Sequence, residues 1–353
     1  MIETVKTEIR GEVGYITLNR PKALHALNYE MCRTILSALR AWRDDDAVHM
    51  VMIDHAEGTR GFCAGGDIAM LATSGQGDGR EARAFFAEEY RMNAAIKAFP
   101  KPYLALIDGI TMGGGVGLSV HGSHRVATER TLFAMPETGI GLFPDVGGGW
   151  FLPRLRGELG TWLALTGARL KGADVAAARV ATHFLPSELI PNLKKQIAQA
   201  EFVGGASEML GEILRRLTHP VPAGSFEPHR DTIDHCFAHD RAEDIVAALI
   251  NDGGEWALRQ AAILQEKSPE TVKLALRQLR EGAACTSFEE NMAMEYRIGW
   301  RKVQSADFLE GVRAVIVDKD NTPKWRPTTL QGVSDADVAR YFAPLGEDEL
   351  EIS

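Results

Sequence analysis

Residues 3–9 and 13–19 alternate apolar and polar side chains on either side of a turn at Gly11, and from Asn28 to about Asp44 the apolar residues Met31, Ile35, Leu39 and Trp42 fall at helical spacing. The order strand, strand, helix then recurs. Met50 to Asp54 is a short apolar strand ahead of a glycine-rich turn, Glu81 to Phe99 is an amphipathic helix, and Tyr103 to Ile107 is another buried strand. Gly113 to Val120 opens a helix, and Val126 to Met135 returns to strand. This alternation predicts an α/β core over residues 1–185. From about residue 155 the pattern turns mostly helical. Ser268-Pro269-Glu270 is a well-formed helix start, with a serine cap, a proline at the first position and an acid in the first turn, and that helix is expected to end near Gly282. Residues 186–353 are therefore expected to form a mainly helical C-terminal region. Within it 186–255, less apolar and scattered with Pro and Gly, reads as an insertion or a small helical subdomain.

Composition excludes several classes. With 45% hydrophobic and 25% charged residues over 353 positions the chain is ordinary globular material, which rules out disordered, collagen-like and coiled-coil chains. Lys and Arg number 39 against 48 Asp and Glu, and a net charge of −9 disfavours a nonspecific nucleic-acid binder. No run of about 18 apolar residues occurs; Tyr103 to Val120 comes nearest, and it contains Asp108 and five glycines. No membrane span is expected. The first ten residues alternate and carry acids, unlike a secretory or organellar signal. Cys32, Cys63, Cys236 and Cys285 are far apart with no C-x-x-C pair, as for reduced thiols. Together these features predict a cytoplasmic protein with neither a disulfide framework nor a structural zinc site.

Glycine is over-represented, at 35 residues or about a tenth of the chain against a usual ~7%, and it clusters at 61–79, 109–122 and 139–149. The first cluster, Gly61-Phe62-Cys63-Ala64-Gly65-Gly66-Asp67-Ile68, is a turn after a strand whose small residues let a ligand reach the backbone, or a plain strand-to-helix turn. The second, Gly113 to Leu118, begins a helix, so unpaired N–H groups and the positive dipole end face outward unless the glycines serve only close packing. Fixed backbone donors of this kind suit a developing oxyanion. Phosphate cradling is the rival, but no G-x-x-x-x-G-K-[ST] and no glycines at i, i+2 and i+5 are present. Gly117-Leu118-Ser119-Val120-His121 approaches the nucleophile elbow G-x-S-x-G, with histidine where the last glycine belongs.

In the third cluster Glu137 is the only ionisable side chain from Leu132 to Pro144. Desolvation there would raise its pKa, as suits a general acid or base, whereas the bland alternative is a first-turn glutamate favouring a helix dipole. Asp145, just before Val146-Gly147, is open to the same two readings, since Asp also caps helices. His121 with His124, and His235 with His239, have spacings a metal could use, but neither pair has a third ligand placed by sequence. No metal is expected.

These residues carry a resemblance. The segments I-T-L-N-R-P-K-A-L-H-A-L-N (16–28), F-C-A-G-G-D-I (62–68), F-F-A-E-E-Y (85–90), G-I-T-M-G-G-G-V-G-L-S-V-H-G (109–122), F-A-M-P-E-T-G-I-G-L-F-P-D-V-G-G-G (133–149), L-A-L-T-G-A-R-L-K-G (163–172) and E-G-V-R-A-V-I-V-D-K-D (310–320) resemble the crotonase, or enoyl-CoA hydratase/isomerase, superfamily. The likeness runs over essentially the whole length, and within the superfamily it is strongest to the members that hydrolyse 3-hydroxyisobutyryl-CoA. It implies a crotonase-like spiral of strand-strand-helix repeats with a helical C-terminal region, and homo-oligomers, trimers or hexamers, as in many relatives.

The resemblance also assigns roles. It implies that the backbone N–H groups of Gly66 and Gly114 grip the thioester oxygen, and that the acyl-CoA is lined by Lys22, Ala23 and His25 and by Ala64, Gly65, Asp67 and Ile68. Hydratases of the superfamily use two glutamates; the first position here is Gly117 and only the second, Glu137, remains, while Asp145 replaces a usual glycine. Glu89 matches a further substrate-contacting carboxylate, although Glu88-Glu89 on a helix would otherwise pass as solvated charge. The implied reaction is hydrolysis of a short 3-hydroxyacyl-CoA, most of all 3-hydroxyisobutyryl-CoA in valine breakdown. In it Glu137 attacks the carbonyl or activates a water, and Asp145 binds the substrate hydroxyl or handles a proton. CoA enters as part of the substrate and no cofactor is implied. A hydratase or isomerase of the same fold and a noncatalytic CoA-binding protein are the two alternatives.

Overall fold

In the computed structural model, which describes residues 3–202 and 205–352, ten strands precede a long helical region. The strands are β1 (Val5–Arg10), β2 (Val13–Leu18), β3 (Met50–His55), β4 (Gly61–Cys63), β5 (Tyr103–Ile107), β6 (Ile110–Met112), β7 (His124–Ala127), β8 (Leu132–Ala134), β9 (Leu170–Lys171) and β10 (His183–Phe184). Among them lie helices α1 (Tyr29–Arg43), α2 (Ile68–Gln76), α3 (Arg80–Lys97), α4 (Gly114–Gly117), α5 (Gly148–Phe151), α6 (Leu159–Thr166) and α7 (Ala173–Ala177). After them come α8 (Ile190–Ala198), α9 (Ala206–Leu217), α10 (Arg230–Cys236), α11 (Ala242–Asp252), α12 (Glu255–Glu266), α13 (Pro269–Ala284), α14 (Phe288–Lys302), α15 (Ala306–Val312) and α16 (Asp335–Phe342). The strand-strand-helix opening is as expected, with the Asn28 side chain capping α1 through the Met31 N–H at 2.9 Å.

The chain divides into two compact units. Met1–Gly66, Arg91–Phe133 and Leu170–Ser225 form one; Asp67–Tyr90, Ala134–Arg169 and Phe226–Ser353 form the other. The first unit holds a six-stranded sheet in the order β1-β2-β3-β5-β7-β10 and a four-stranded sheet in the order β4-β6-β8-β9. The β1–β2 hairpin is antiparallel, with Val5 opposite Leu18, and β2–β3, β3–β5, β5–β7 and β7–β10 are parallel. Every residue of β5 is buried, as a parallel strand covered on both faces requires. Ile190, Leu193 and Ile197 of α8 and Leu210, Ile213 and Leu214 of α9 pack with Val13, Met50, Met52, Leu104 and Leu106 of the larger sheet. α8 and α9 thus cover that sheet.

Two expectations need correction. The strand expected from Val126 to Met135 is two, β7 and β8, because Thr128 and Thr131 close a turn by the Thr131 N–H to the Thr128 carbonyl (3.1 Å) and the Thr128 N–H to the Thr131 hydroxyl (2.8 Å). The helix expected from Gly113 to Val120 is one turn, Gly114–Gly117, as four glycines among five residues give little helix propensity.

The second unit is largely helical. Ser268 caps α13 through the Thr271 N–H at 3.1 Å, as the sequence predicts, and Ser287 caps α14 through the Glu290 N–H at 3.1 Å. No helix among the described residues is long and apolar enough to cross a membrane.

Candidate active site

In the first unit three loops meet. The Leu27 N–H donates to the Gly65 carbonyl (2.7 Å), the Ala64 N–H donates to the Leu24 carbonyl (3.0 Å), and Leu27 and Gly66 form an isolated parallel bridge. A side chain on Gly65, which has φ +112°, would stand 3.5 Å from the Met112 carbonyl oxygen and 3.8 Å from the Gly114 nitrogen. A Cβ on Gly115 would stand only 2.3 Å from the Cys63 carbonyl oxygen, so α4 presses on β4 with no room for a side chain. The loops carrying Gly66 and Gly114 are thereby neighbours. Neither of their N–H groups donates to an acceptor among the described residues. Two adjacent unpaired donors in fixed backbone can stabilise a carbonyl oxygen that gains charge.

In the second unit four of the buried carboxylates act on one another: Glu89 on α3 (2% exposed), Glu137 (5%) at the start of a 3₁₀ turn, Asp145 (5%), and Glu295 (0%) on α14. Burial, which disfavours the charged form, is the largest cause of a raised pKa in each. It lifts Asp145 to about 7 and Glu295 to about 8. Repulsion adds to it: Asp145 raises Glu137, and Asp145, Glu137 and Glu295 all raise Glu89. Asp145 is held down by one strong partner, the Tyr90 hydroxyl, which donates to its Oδ2 at 2.9 Å. Glu137 Oε2 and Glu89 Oε1 are buried without a hydrogen-bond partner among the described residues. An orphaned buried carboxyl oxygen costs about 1–3 kcal/mol or more in the folded chain and has no purpose in packing. The cluster is relieved by keeping protons, and a group of carboxyls that shares protons near neutrality is equipped for proton transfer.

The backbone after Asp145 is strained. Val146, a β-branched residue, has φ +52° and Gly147 has φ +84°, a conformation that costs about 1–3 kcal/mol at a valine and persists only where the surroundings enforce it.

Each expected site residue has a definite place. Gly66 and Gly114 lie in the neighbouring loops of the first unit, while Glu89, Glu137 and Asp145 share the carboxylate cluster of the second. Lys22 is exposed and Ala23, Ala64, Gly66 and Ile68 are half-buried. His25 is fully buried, its Nδ1 accepting from the Arg20 N–H at 3.0 Å and its Nε2 bonded to the Thr59 hydroxyl at 3.0 Å, and burial lowers its pKa to about 4. Its ring braces the loop 20–25. Asp67 caps α2 through the Met70 N–H at 3.2 Å. Glu89 is no solvated charge, and Asp145 makes no side-chain cap at α5. The elbow alternative fails physically: the Ser119 hydroxyl is 1% exposed and donates to the Gly115 and Val116 carbonyls, both at 3.0 Å. Among the described residues no three His, Cys, Asp or Glu side chains are grouped to hold a metal ion.

Sequence reasoning missed Tyr90 and Glu295. Tyr90 sits inside a quoted motif, and its spacing from Phe86 on one helix face was the available signal.

The enoyl-CoA hydratase/isomerase family profile matches residues 13–342. A Danio rerio protein named 3-hydroxyisobutyryl-CoA hydrolase, mitochondrial, is 49% identical over 346 residues, covering 97% of this chain and 90% of its own. The Homo sapiens protein of the same name is 46% identical over 354 residues, covering 99% and 91%. Two solved structures, each 40% identical, superpose closely. A carnitinyl-CoA dehydratase from Mycobacterium thermoresistibile has TM-score 0.92 with 99% of both chains covered, and an enoyl-CoA hydratase from Rhodobacter sphaeroides has TM-score 0.89 with 99% and 100% covered.

Proposed function

The chain belongs to the enoyl-CoA hydratase/isomerase family, and from that premise we propose its reaction: it hydrolyses the thioester of 3-hydroxyisobutyryl-CoA, giving 3-hydroxyisobutyrate and CoA, a step of valine breakdown. The observation that carries the reading is the unpartnered, buried Oε2 of Glu137 beside a second carboxyl, Asp145, that keeps a phenolic donor. Thioester hydrolysis needs a nucleophile or base, a proton carrier for the departing thiolate, and donors for the carbonyl oxygen. Glu137, Asp145, and the N–H groups of Gly66 and Gly114 supply these, with no metal or redox cofactor in any step.

With one proton on the pair, the Tyr90 hydrogen bond favours Asp145 as the ionised member. Transfer of the Glu137 proton to Asp145 frees the Glu137 carboxylate to attack the carbonyl carbon. As the C–S bond breaks, the thiolate takes the proton back from Asp145, leaving a mixed anhydride on Glu137. Water then attacks the Glu137 carbonyl carbon of the anhydride as Asp145 takes one of its protons; the bond to the bridging oxygen breaks, the hydroxyacid leaves as its carboxylate, one water oxygen stays on the protonated Glu137, and the Asp145 proton leaves with the product. In the alternative route Glu137 deprotonates a water that attacks directly. A single turnover in ¹⁸O water separates them, since only attack by the side chain leaves label in Glu137. Glu89 is assigned to contact with the substrate.

The reaction is tested by thiol release from 3-hydroxyisobutyryl-CoA beside hydration of crotonyl-CoA. Two solved relatives are named for hydration and dehydration chemistry, so the second arm is needed. Release of thiol without hydration is expected, because Gly117 stands where the hydratases have the first of their two glutamates and Glu137 is left alone. Hydration without thiol release would transfer the chain to the hydratase reading. 3-Hydroxypropionyl-CoA, lacking one methyl, is expected to react within about 10- to 200-fold of the same efficiency.

A pH profile follows from the pair. The singly protonated form is active, so kcat/KM rises with pH as Asp145 ionises, with its midpoint near 7, and falls again where the second proton leaves. A profile flat from pH 5 to 8 would contradict the assignment. None of the four cysteines forms a disulfide among the described residues, as in a reducing compartment, and a cytoplasmic location is proposed on that ground; the relatives' names say mitochondrial, and cell fractionation decides.

A further inference from the structure

Glu295 stands 148 residues from the turn it touches, and its contacts are of one kind. Oε2 accepts the Gly147 N–H at 2.7 Å; Oε1 accepts the Gly149 N–H at 2.9 Å, the Asn291 amide at 2.9 Å and the Gln278 amide at 3.1 Å. Four donors meet one fully buried carboxylate, and none of the four is charged. Another buried carboxylate of the same unit, Glu270, is by contrast paired with cations, Lys302 and Arg340. A Cβ on Gly149 would stand 2.6 Å from Asn291 Oδ1 and 3.2 Å from Glu295 Oε1, so the glycine there is what admits the carboxylate. Gln278 extends the hold, donating also to the Pro144 carbonyl at 2.7 Å. The clamp therefore grips Pro144, Gly147 and Gly149, on both sides of Asp145 and of the strained Val146.

We propose that Glu295 is a positioning residue for the hydrolysis: its carboxylate holds the turn Pro144–Gly149 in its strained form and so fixes the place and charge of Asp145. The proposal rests on the proton-carrying role given to Asp145 above. Natural backbone strain persists where neighbours enforce it and recurs at reacting groups, and here the enforcing group is a carboxylate whose own burial is uncompensated by any cation among its four donors. A hydrophobic or amide side chain would fill the same space without that electrostatic burden, which is the mark of a group retained for what it does to its neighbour.

The groups facing Asp145 are Tyr90 and Glu89 from α3, Glu137 from the 3₁₀ turn, and Glu295 from α14. Two substitutions bracket the role with opposite signs. Glu295→Gln sets an amide NH₂ against backbone donors, loosens the turn and lets water reach Asp145. Hydration favours the ionised Asp145, so the acid limb of kcat/KM moves down by about one pH unit. The displacement of Asp145 lowers kcat about tenfold to a hundredfold while KM stays within about threefold. Tyr90→Phe deletes the donor to Asp145 and moves the same limb up.

A purely architectural Glu295 would lower the melting temperature and leave the limb where it is. Wild-type kcat with an unmoved limb in a folded Glu295→Gln protein would therefore overturn the proposal. If that variant does not accumulate folded, Gln278→Met, which removes one donor and the Pro144 contact, is expected to lower kcat about threefold to tenfold, and unchanged kcat there would overturn it equally. Asp145→Asn is run alongside: near-normal activity in that variant would refute the reading of Asp145 itself, whereas a dead Asp145→Asn with a normal Glu295→Gln refutes only the clamp.

Discussion

Glu137→Gln is expected to slow thiol release from 3-hydroxyisobutyryl-CoA by about 10³- to 10⁴-fold, at the upper end of what loss of a single acid–base group produces, with KM little changed because the isosteric amide fills the same space. The same substitution is expected to stabilise the fold, and the direction follows from its pKa. Burial, then Asp145, raises the Glu137 pKa in the folded chain above its unfolded value of about 4.3. Between those two values the folded state binds the extra proton, so stability is complete below about pH 4.3 and declines as pH rises through the folded value. Glutamine has no charge to bury and escapes that decline. At pH 8 the variant should melt about 2–4 °C above wild type, and near pH 4 the two should coincide. Inactive yet stabilised protein identifies a group kept for chemistry against the interest of the fold. Near-normal thiol release, or a variant that is inactive because it melts early at pH 8, would remove Glu137 from its role.

What could be read in the sequence was local. The hairpin about Gly11, the helix from Asn28, the Ser268 cap and the buried β5 each follow from spacing and cap chemistry within a few residues. Glu137 was legible for the same reason, since an acid alone in an apolar run has nothing nearby to solvate it. Glu89 was hidden by its own charge: it lies four residues from Phe85 on the buried face of α3, but Glu88 beside it suggests a solvated surface. Glu295 repeats the case on α14, four residues after the buried Asn291. Its meaning comes only from Gly147 and Gly149, and no periodicity within one helix reports a partner nearly 150 residues away. The short elements failed differently. α4 is a single turn because its glycines serve the contact of Gly115 with Cys63, where propensity is subordinate to close approach.

Gly114→Pro is the second large effect expected. Gly114 is the first residue of α4, where a missing N–H breaks no helical hydrogen bond and proline is well tolerated. The N–H it would delete donates to nothing among the described residues, so the fold loses no bond either. If that N–H grips the thioester oxygen, kcat/KM should fall about 10²- to 10³-fold, the usual consequence of deleting one oxyanion donor. Gly114→Ala keeps the N–H and adds a methyl group, which makes it the steric control. A large loss in Pro with a small one in Ala, both proteins melting near wild type, is the signature of a lost donor. Equal losses would mean that bulk, and not the hydrogen bond, is what the position excludes, and the oxyanion role would then have to leave Gly114. The comparison also bears on Gly117: a chain that retains the donors while lacking the first of the two glutamates keeps the means to stabilise a tetrahedral carbon but not the pair that adds water across a double bond. Donor deletion should therefore slow thiol release by that factor without uncovering any hydration of crotonyl-CoA.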